Sequence, residues 1–74
     1  MNLSNIKTNQ HCIIKSINAK GKLLQKLLDM GFVQGIDIQI IRVAPLNDPM
    51  LLRIHNYDIS IRVNEAMFIE VVCE

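Results

Sequence analysis

The apolar residues of this chain depart from strand spacing in one stretch only. Over most of the sequence they alternate with polar residues at a period of two, but from Ala19 to Met30 they recur at spacings of three and four. A chain of 74 residues has room for one domain with a single hydrophobic core. We therefore expect one domain, residues 1–74, that is mainly β with one helix inserted among its strands.

Five segments have the alternation and the β-branched content of strands. They are His11 to Ile17, Ile36 to about Val43, Met50 to His55, Ile59 to Val63 and Met67 to Cys73. The third and fourth look like a β-hairpin turning at Asn56 and Tyr57, and Asn64 to Ala66 is expected to form a short turn. Short strands joined by tight turns favour a small barrel, which leaves no open sheet edge. We predict an SH3-like barrel of about five strands.

The helix predicted from Ala19 to Met30 has a start signal and a stop signal. Asn18 is a suitable N-cap, and Gly31 stands where a left-handed residue would end the helix. Its two adjacent leucine pairs widen the apolar arc beyond what a thin barrel wall covers. One edge of the helix is therefore a candidate docking surface, with Leu23, Leu24, Leu27, Leu28 and Met30 as its residues.

Composition argues against several classes of function. A net charge of +1 gives no field to hold a nucleic acid, and no apolar run is long enough to span a membrane. The first residues lack the features of a secretory signal, so we expect a cytoplasmic protein whose Cys12 and Cys73 remain thiols. No nucleophile stands beside a base, and no glycine pattern matches a nucleotide-binding loop, so we expect a binding module and not an enzyme.

Direct metal binding remains an alternative. The chain has four side chains that could act as soft ligands, His11, Cys12, His55 and Cys73, but none of them form a C-x-x-C or H-x-x-x-H pair. We therefore predict no dedicated metal site and no bound cofactor, and keep a ferrous-iron chaperone or sensor as the second hypothesis.

Three segments together resemble one known family. They are L-L-Q-K-L-L-D-M-G-F (Leu23 to Phe32), A-P-L-N-D-P (Ala44 to Pro49) and N-Y-D-I-S-I-R-V-N-E-A (Asn56 to Ala66), and they are similar to FeoA, the accessory protein of bacterial ferrous-iron transport. The resemblance covers nearly the whole chain. It implies an SH3-like cytoplasmic domain that acts on the membrane transporter FeoB, whose cytoplasmic part binds GTP.

The surplus apolar surface and the resemblance together indicate where this partner would bind. We expect the helix edge and the neighbouring loop to contact FeoB, the loop residues being Ala44, Pro45, Leu46, Asp48 and Pro49. Two alternatives are a homo-oligomer, which would bury the same apolar surface, and a GTPase-activating role in which Arg42 or Arg62 reaches FeoB.

Asparagine replaces family glycines at several turns of this chain. These positions are Asn9, Asn47 and Asn56. Asparagine is the residue that best tolerates the left-handed backbone conformation after glycine, so we expect the turns to be retained.

Overall fold

The structure, a computed structural model, describes residues 1–43 and 49–73 of the chain. A 3₁₀ turn at Leu3–Asn5 comes first. The strands and helices then follow in the order β1 (His11–Ile17), α1 (Gly21–Asp29), β2 (Asp37–Val43), β3 (Met50–Ile54), β4 (Tyr57–Ile61), α2 (Val63–Ala66) and β5 (Ile69–Cys73). The prediction of a mainly β domain with five strands is confirmed, and the predicted bounds of β1 are correct.

All five strands form one antiparallel sheet in the order β4-β3-β2-β1-β5. The first strand therefore has two neighbours, and Cys12 lies opposite Ile38 on β2 and opposite Cys73 on β5. The register shifts between Ile14 and Ser16 in the β1–β5 ladder, and a second shift interrupts the β2–β3 ladder. Such irregularities bend strands and increase their twist, so they allow a short sheet to curl around a core.

The core is formed by the inward-facing residues of the strands, one residue from each α-helix and, from segments outside these elements, Leu3, Ile6, Ala19 and Phe32. On β2, for example, Ile38 and Ile40 are buried whereas Asp37 is exposed, as period-two alternation predicts. The fully buried large side chains are Leu3, Ile14, Leu27, Phe32, Ile38, Ile40, Met50, Leu52, Ile54, Ile61, Ile69 and Val71. No polar or charged residue in residues 1–43 and 49–73 is buried.

The helix begins two residues later than predicted and ends one residue earlier, with Met30 as its C-cap and Gly31 after it in the predicted left-handed conformation. Asn18 is not its N-cap, since the cap position is Lys20, whose backbone is extended and whose side chain makes no capping hydrogen bond. The Asn18 N–H instead donates to the carbonyl of Phe68 at 2.7 Å. At the other end, Gly31 has φ 104° and donates to the carbonyl of Leu28, while Phe32 donates to that of Leu27, both at 3.0 Å. These two bonds form a Schellman motif, which satisfies carbonyls that the helix leaves open.

The region after β4 differs from the prediction. Val63, expected at a strand end, begins the short helix α2, whose Ala66 is buried in the core. Met67, expected on the inner face of the last strand, precedes β5 and is 52% exposed. The fourth strand starts at Tyr57, because the hairpin turns at His55 and Asn56.

Two turns test the expected role of asparagine. Asn9 has φ 71°, so this prediction is confirmed. In the hairpin, the positive φ of 55° belongs to His55 instead of Asn56. Asn47, the third position, lies outside the described residues, as do Ala44, Pro45, Leu46 and Asp48.

No helix within the described ranges is long and apolar enough to cross a membrane.

Candidate docking surface

The leucines of α1 divide into buried and exposed members. Leu27 is fully buried and belongs to the core, so its prediction as a docking residue is wrong. Leu23 and Leu24 are half-buried and pack against the core from the side. Leu28 is 42% exposed, which makes it the most accessible apolar side chain of the helix. The helix therefore buries the middle of its wide apolar arc at Leu27 and leaves Leu28 toward solvent.

The C-terminal end of α1 contacts the start of β4. Tyr57 is 45% exposed, and its hydroxyl donates to the carbonyl of Met30 at 3.3 Å. The ring lies over Gly31, where a Cβ would overlap the Tyr57 hydroxyl. Glycine is therefore needed here both for its positive φ and for the close approach of the tyrosine.

A groove of about 270 Å³ runs between α1 and the segment from β4 to α2. Met30, Pro49 and Ile61 supply its apolar contacts, and Ser60 supplies a small polar one. Charged side chains complete the lining, namely Lys26, Arg62 and Glu65. The groove thus has apolar walls beside charged groups, which is the composition of a protein-binding surface with a polar rim.

Lys26 and Glu65 are paired across this groove. The ammonium of Lys26 donates to Glu65 Oε2, and Glu65 Oε1 accepts the backbone N–H of Arg62 at 3.4 Å. The hydrogen bond from Lys26 is the main cause of a lowered pKa at Glu65. Burial raises this pKa by less, and the Arg62 N–H and the positive charges of Lys26 and Arg62 lower it further. Glu65 is therefore a carboxylate at neutral pH, and it caps α2 while joining that helix to α1.

Of the predicted docking residues, the structure brings Met30 and Pro49 together in the groove. Leu28 is exposed on the helix but does not line the groove. Sequence reasoning missed the contribution of Tyr57, Ser60 and Glu65. One signal was present, since Glu65 follows Arg62 by three residues and precedes an apolar run, which is the spacing of a capping residue.

The four candidate metal ligands are not gathered in one site. His11 and His55 line one depression, His11 and Cys12 line another, and the exposed Asp37 carboxylate lies 3.9 Å from His11 Nδ1. No three His, Cys, Asp or Glu side chains are arranged to hold a metal within residues 1–43 and 49–73. Ferrous-iron binding stays a prediction that would depend on these histidines.

The cysteines are bonded to each other, so the expectation that they remain thiols is wrong for this structure. Cys12 and Cys73 are register partners on β1 and β5, with their Cα atoms 4.1 Å apart, and form a disulfide. The physical reason is the strand order, which places the first and last strands side by side although 61 residues separate the two cysteines.

The arginines considered as groups that could reach a partner have different surroundings. Arg62 lines the groove, whereas Arg42 is exposed on β2. Arg53 on β3 is held by Asp58 on β4 through Nε at 2.8 Å and Nη2 at 3.3 Å, and this bond lowers the pKa of Asp58. A GTPase-activating role for Arg42 or Arg62 stays a prediction.

Comparison with known proteins places the fold in a known group. The FeoA domain matches residues 1–73. A Porphyromonas gingivalis protein described as an Fe(2+) transport protein A/Fe(2+) transporter FeoB fusion is 38% identical over 71 residues, which is 96% of this chain and 8% of the fusion. The solution structure of iron(II) transport protein A from Clostridium thermocellum has a TM-score of 0.94 and 42% identity, covering 99% of this chain and 45% of that one.

A third relative shows the fold alone. The crystal structure of Stenotrophomonas maltophilia FeoA complexed with zinc, described as an SH3 domain protein, has a TM-score of 0.84 at 22% identity and covers 97% of this chain and 89% of that one. The predicted SH3-like class is therefore confirmed. The chain spans less than half the length of the fusion and of the Clostridium chain, so their whole activities do not transfer to it directly.

Proposed function

Because the chain belongs to the FeoA domain family, we propose that it is a non-catalytic, cytoplasmic accessory protein of ferrous-iron uptake that docks on the membrane transporter FeoB. The family itself is associated with ferrous-iron transport.

The observation that carries the proposal is the Porphyromonas gingivalis fusion. In that protein a segment covering 96% of this chain is joined to FeoB in one polypeptide. Two domains on one chain are held at a high effective concentration, so even a weak contact between them would form. The same contact between separate chains requires a surface with enough affinity of its own.

The docking surface that we assign has two parts, the exposed Leu28 of α1 and the groove lined by Met30, Pro49 and Ser60. Leu28 is two residues from Met30, so it lies on a different side of the helix from the groove. In the groove Met30 is half-buried and Pro49 is exposed, and charged side chains form the rim. Exposed apolar residues and apolar grooves with a polar rim are typical of sites that bind other proteins. We add the loop from Ala44 to Asp48 to this proposed surface because of the resemblance to FeoA.

The test is the binding of the tagged chain to detergent-solubilised FeoB from the same organism, in the nucleotide-free, GDP-bound and GTP-analogue-bound states. Leu28→Glu places a charge on the exposed helix edge, and Ser60→Arg fills the groove without touching the core. We expect each change to weaken binding at least about tenfold, or about 1.4 kcal/mol.

Val72→Glu is the matched control. It changes a 57% exposed apolar residue to the same charged one, on β5 at the other end of the sheet order from β4. We expect this variant to bind like the wild type. No binding by the wild-type chain in any nucleotide state would refute the accessory role, and equal losses for Val72→Glu and Leu28→Glu would refute the assigned surface.

Self-association is measured with the same proteins. A homodimer that used the docking surface would dissociate in the Leu28→Glu variant, and sedimentation equilibrium would detect the change. If the chain binds FeoB and stays monomeric, the surface serves to bind the transporter and not a second copy of the chain.

A further inference from the structure

The two cysteines of the chain are placed opposite each other by the sheet and have no competing partner. Cys12 and Cys73 are paired across the β1–β5 ladder, and the sequence contains no other cysteine. Oxidation and reduction of this chain therefore concern one bond. Any disulfide exchange within the molecule has only these two sulfurs to involve.

The two sulfur atoms differ in access. Cys12 is 2% exposed and belongs to the core, between Ile38 on one side and the last strand on the other. Cys73 is only half-buried, at the end of β5, which is the outermost strand of the sheet. Thiol–disulfide exchange requires a thiolate to approach one sulfur of the bond, and the accessible sulfur is attacked. The accessible one here is Cys73 Sγ.

The strands on either side of the bond are held together without it. The β1–β5 ladder continues from Cys73 through four further register pairs to Ile17 and Ile69. The N–H of Val71 also donates to the carbonyl of Met1 at 2.9 Å, on the other side of β5. Breaking the disulfide therefore leaves the two thiols facing each other in a folded sheet, at a high effective concentration for the reverse reaction.

From this placement we propose that the Cys12–Cys73 bond is a reversible site of thiol–disulfide exchange with dithiol reductants, opened at Cys73 Sγ. A thiolate of the reductant bonds to Cys73 Sγ, the disulfide breaks, and Cys12 leaves as a thiolate that takes up a proton. The second thiolate of the reductant then attacks its own sulfur in the mixed disulfide. Cys73 is released and protonated, and the reductant leaves as a cyclic disulfide after a two-electron transfer.

One consequence rests on the proposed function. The proposed accessory protein acts where iron is held in its ferrous form, and where dithiol reductants are present in the same compartment they would also open this bond. The thiol form would then be the one that meets the transporter under those conditions. The exchange itself needs no transporter, so its test is independent of the docking proposal.

The first experiment equilibrates the folded chain with mixtures of reduced and oxidised dithiothreitol, blocks free thiols with iodoacetamide and counts the blocked cysteines by intact mass. We expect a transition between none and two blocked cysteines that is the same from both directions, with a native circular dichroism spectrum at each end. A bond that opens only as fast as the chain unfolds, or a reduced chain that does not re-form it, would overturn the proposal.

The second experiment compares two single variants that differ only in the thiol they retain. Cys12→Ser keeps Cys73, and Cys73→Ser keeps Cys12. We expect the Cys73 thiol to react with an aromatic disulfide reagent at least about tenfold faster than the Cys12 thiol in the folded state, and the two to react alike in denaturant. Equal rates in the folded state would contradict attack at Cys73, and the wild-type titration still decides reversibility if a variant does not fold.

Discussion

Replacing Gly31 by alanine tests the contact between the end of α1 and the start of β4. Gly31 has φ 104°, where any side chain is strained, and the left-handed backbone costs a non-glycine residue about 1 to 2 kcal/mol. The new Cβ would also overlap the Tyr57 hydroxyl. Because Tyr57 is exposed, its ring can move away, but it then loses its hydrogen bond to the Met30 carbonyl, worth about 0.5 to 1.5 kcal/mol.

The expected loss of unfolding free energy for Gly31→Ala is therefore about 1.5 to 3.5 kcal/mol. Gly35→Ala is the matched control, because Gly35 has φ 89° but a Cβ there meets no atom within 4 Å. It should lose only the backbone contribution of about 1 to 2 kcal/mol. Urea unfolding followed by circular dichroism, with the disulfide intact in every sample, measures both.

Tyr57→Phe separates the two contributions. It removes the oxygen that the new Cβ would overlap, and leaves the ring carbon Cζ at an ordinary 3.7 Å. In this background Gly31→Ala should cost no more than Gly35→Ala does, which gives a coupling of about 1 kcal/mol between the two positions. If the cost of Gly31→Ala is the same with and without the tyrosine hydroxyl, the described contact does not exist.

Two further predictions concern buried and charged residues near the docking surface. Leu27→Ala should lower the unfolding free energy by about 3 kcal/mol because it empties a core position. Leu28→Ala, on the exposed edge, should lower it by less than about 1 kcal/mol. Equal losses in urea unfolding would refute the assignment of Leu27 to the core and Leu28 to the surface. Glu65→Gln should cost about 1 kcal/mol at pH 7. The pKa of Glu65 is lowered in the folded protein, so its stabilisation is present above the pKa of about 4.3 in the unfolded chain and disappears as the pH falls through the lower folded value. Thermal unfolding at pH 7 and pH 3 should show the difference from wild type shrinking, and a difference independent of pH would contradict this linkage.

The strands were the most predictable part of the fold. In a strand, alternate residues face the core, and this produces an alternating apolar pattern in the sequence. The first and last residues of His11–Ile17 could therefore be predicted correctly. The start of α1 could not, since Asn18 has a suitable side chain for a cap but lies two residues before the observed cap, Lys20. Its backbone N–H bonds to Phe68, fifty residues later in the chain, and local sequence does not reveal that contact. The positive φ at His55 instead of Asn56 has the same kind of origin, since the hairpin register decides which residue occupies the turn.

The candidate site was predictable only in outline. The leucine spacing indicates that one side of the helix is apolar, but which leucine remains exposed depends on how the helix sits on the sheet. The pairing of Lys26 with Glu65 and of Cys12 with Cys73 joins residues 39 and 61 positions apart. Local propensity contains no information about such distances. The proposed partner FeoB likewise rests on the resemblance to FeoA and on the fusion protein, since composition and spacing do not indicate it.

The position of β5 beside β1 determines when this domain can become complete during synthesis. Until residue 73 has left the ribosome, β1 lacks one of its two neighbours, and the core lacks Ile69 and Val71. The β2–β3–β4 meander has local contacts and can form earlier, whereas the pairing of β1 with β5 is non-local and slow. A nascent chain therefore presents an unpaired strand edge for the whole time that the ribosome needs to reach the last strand, and that edge is where a holding chaperone would bind.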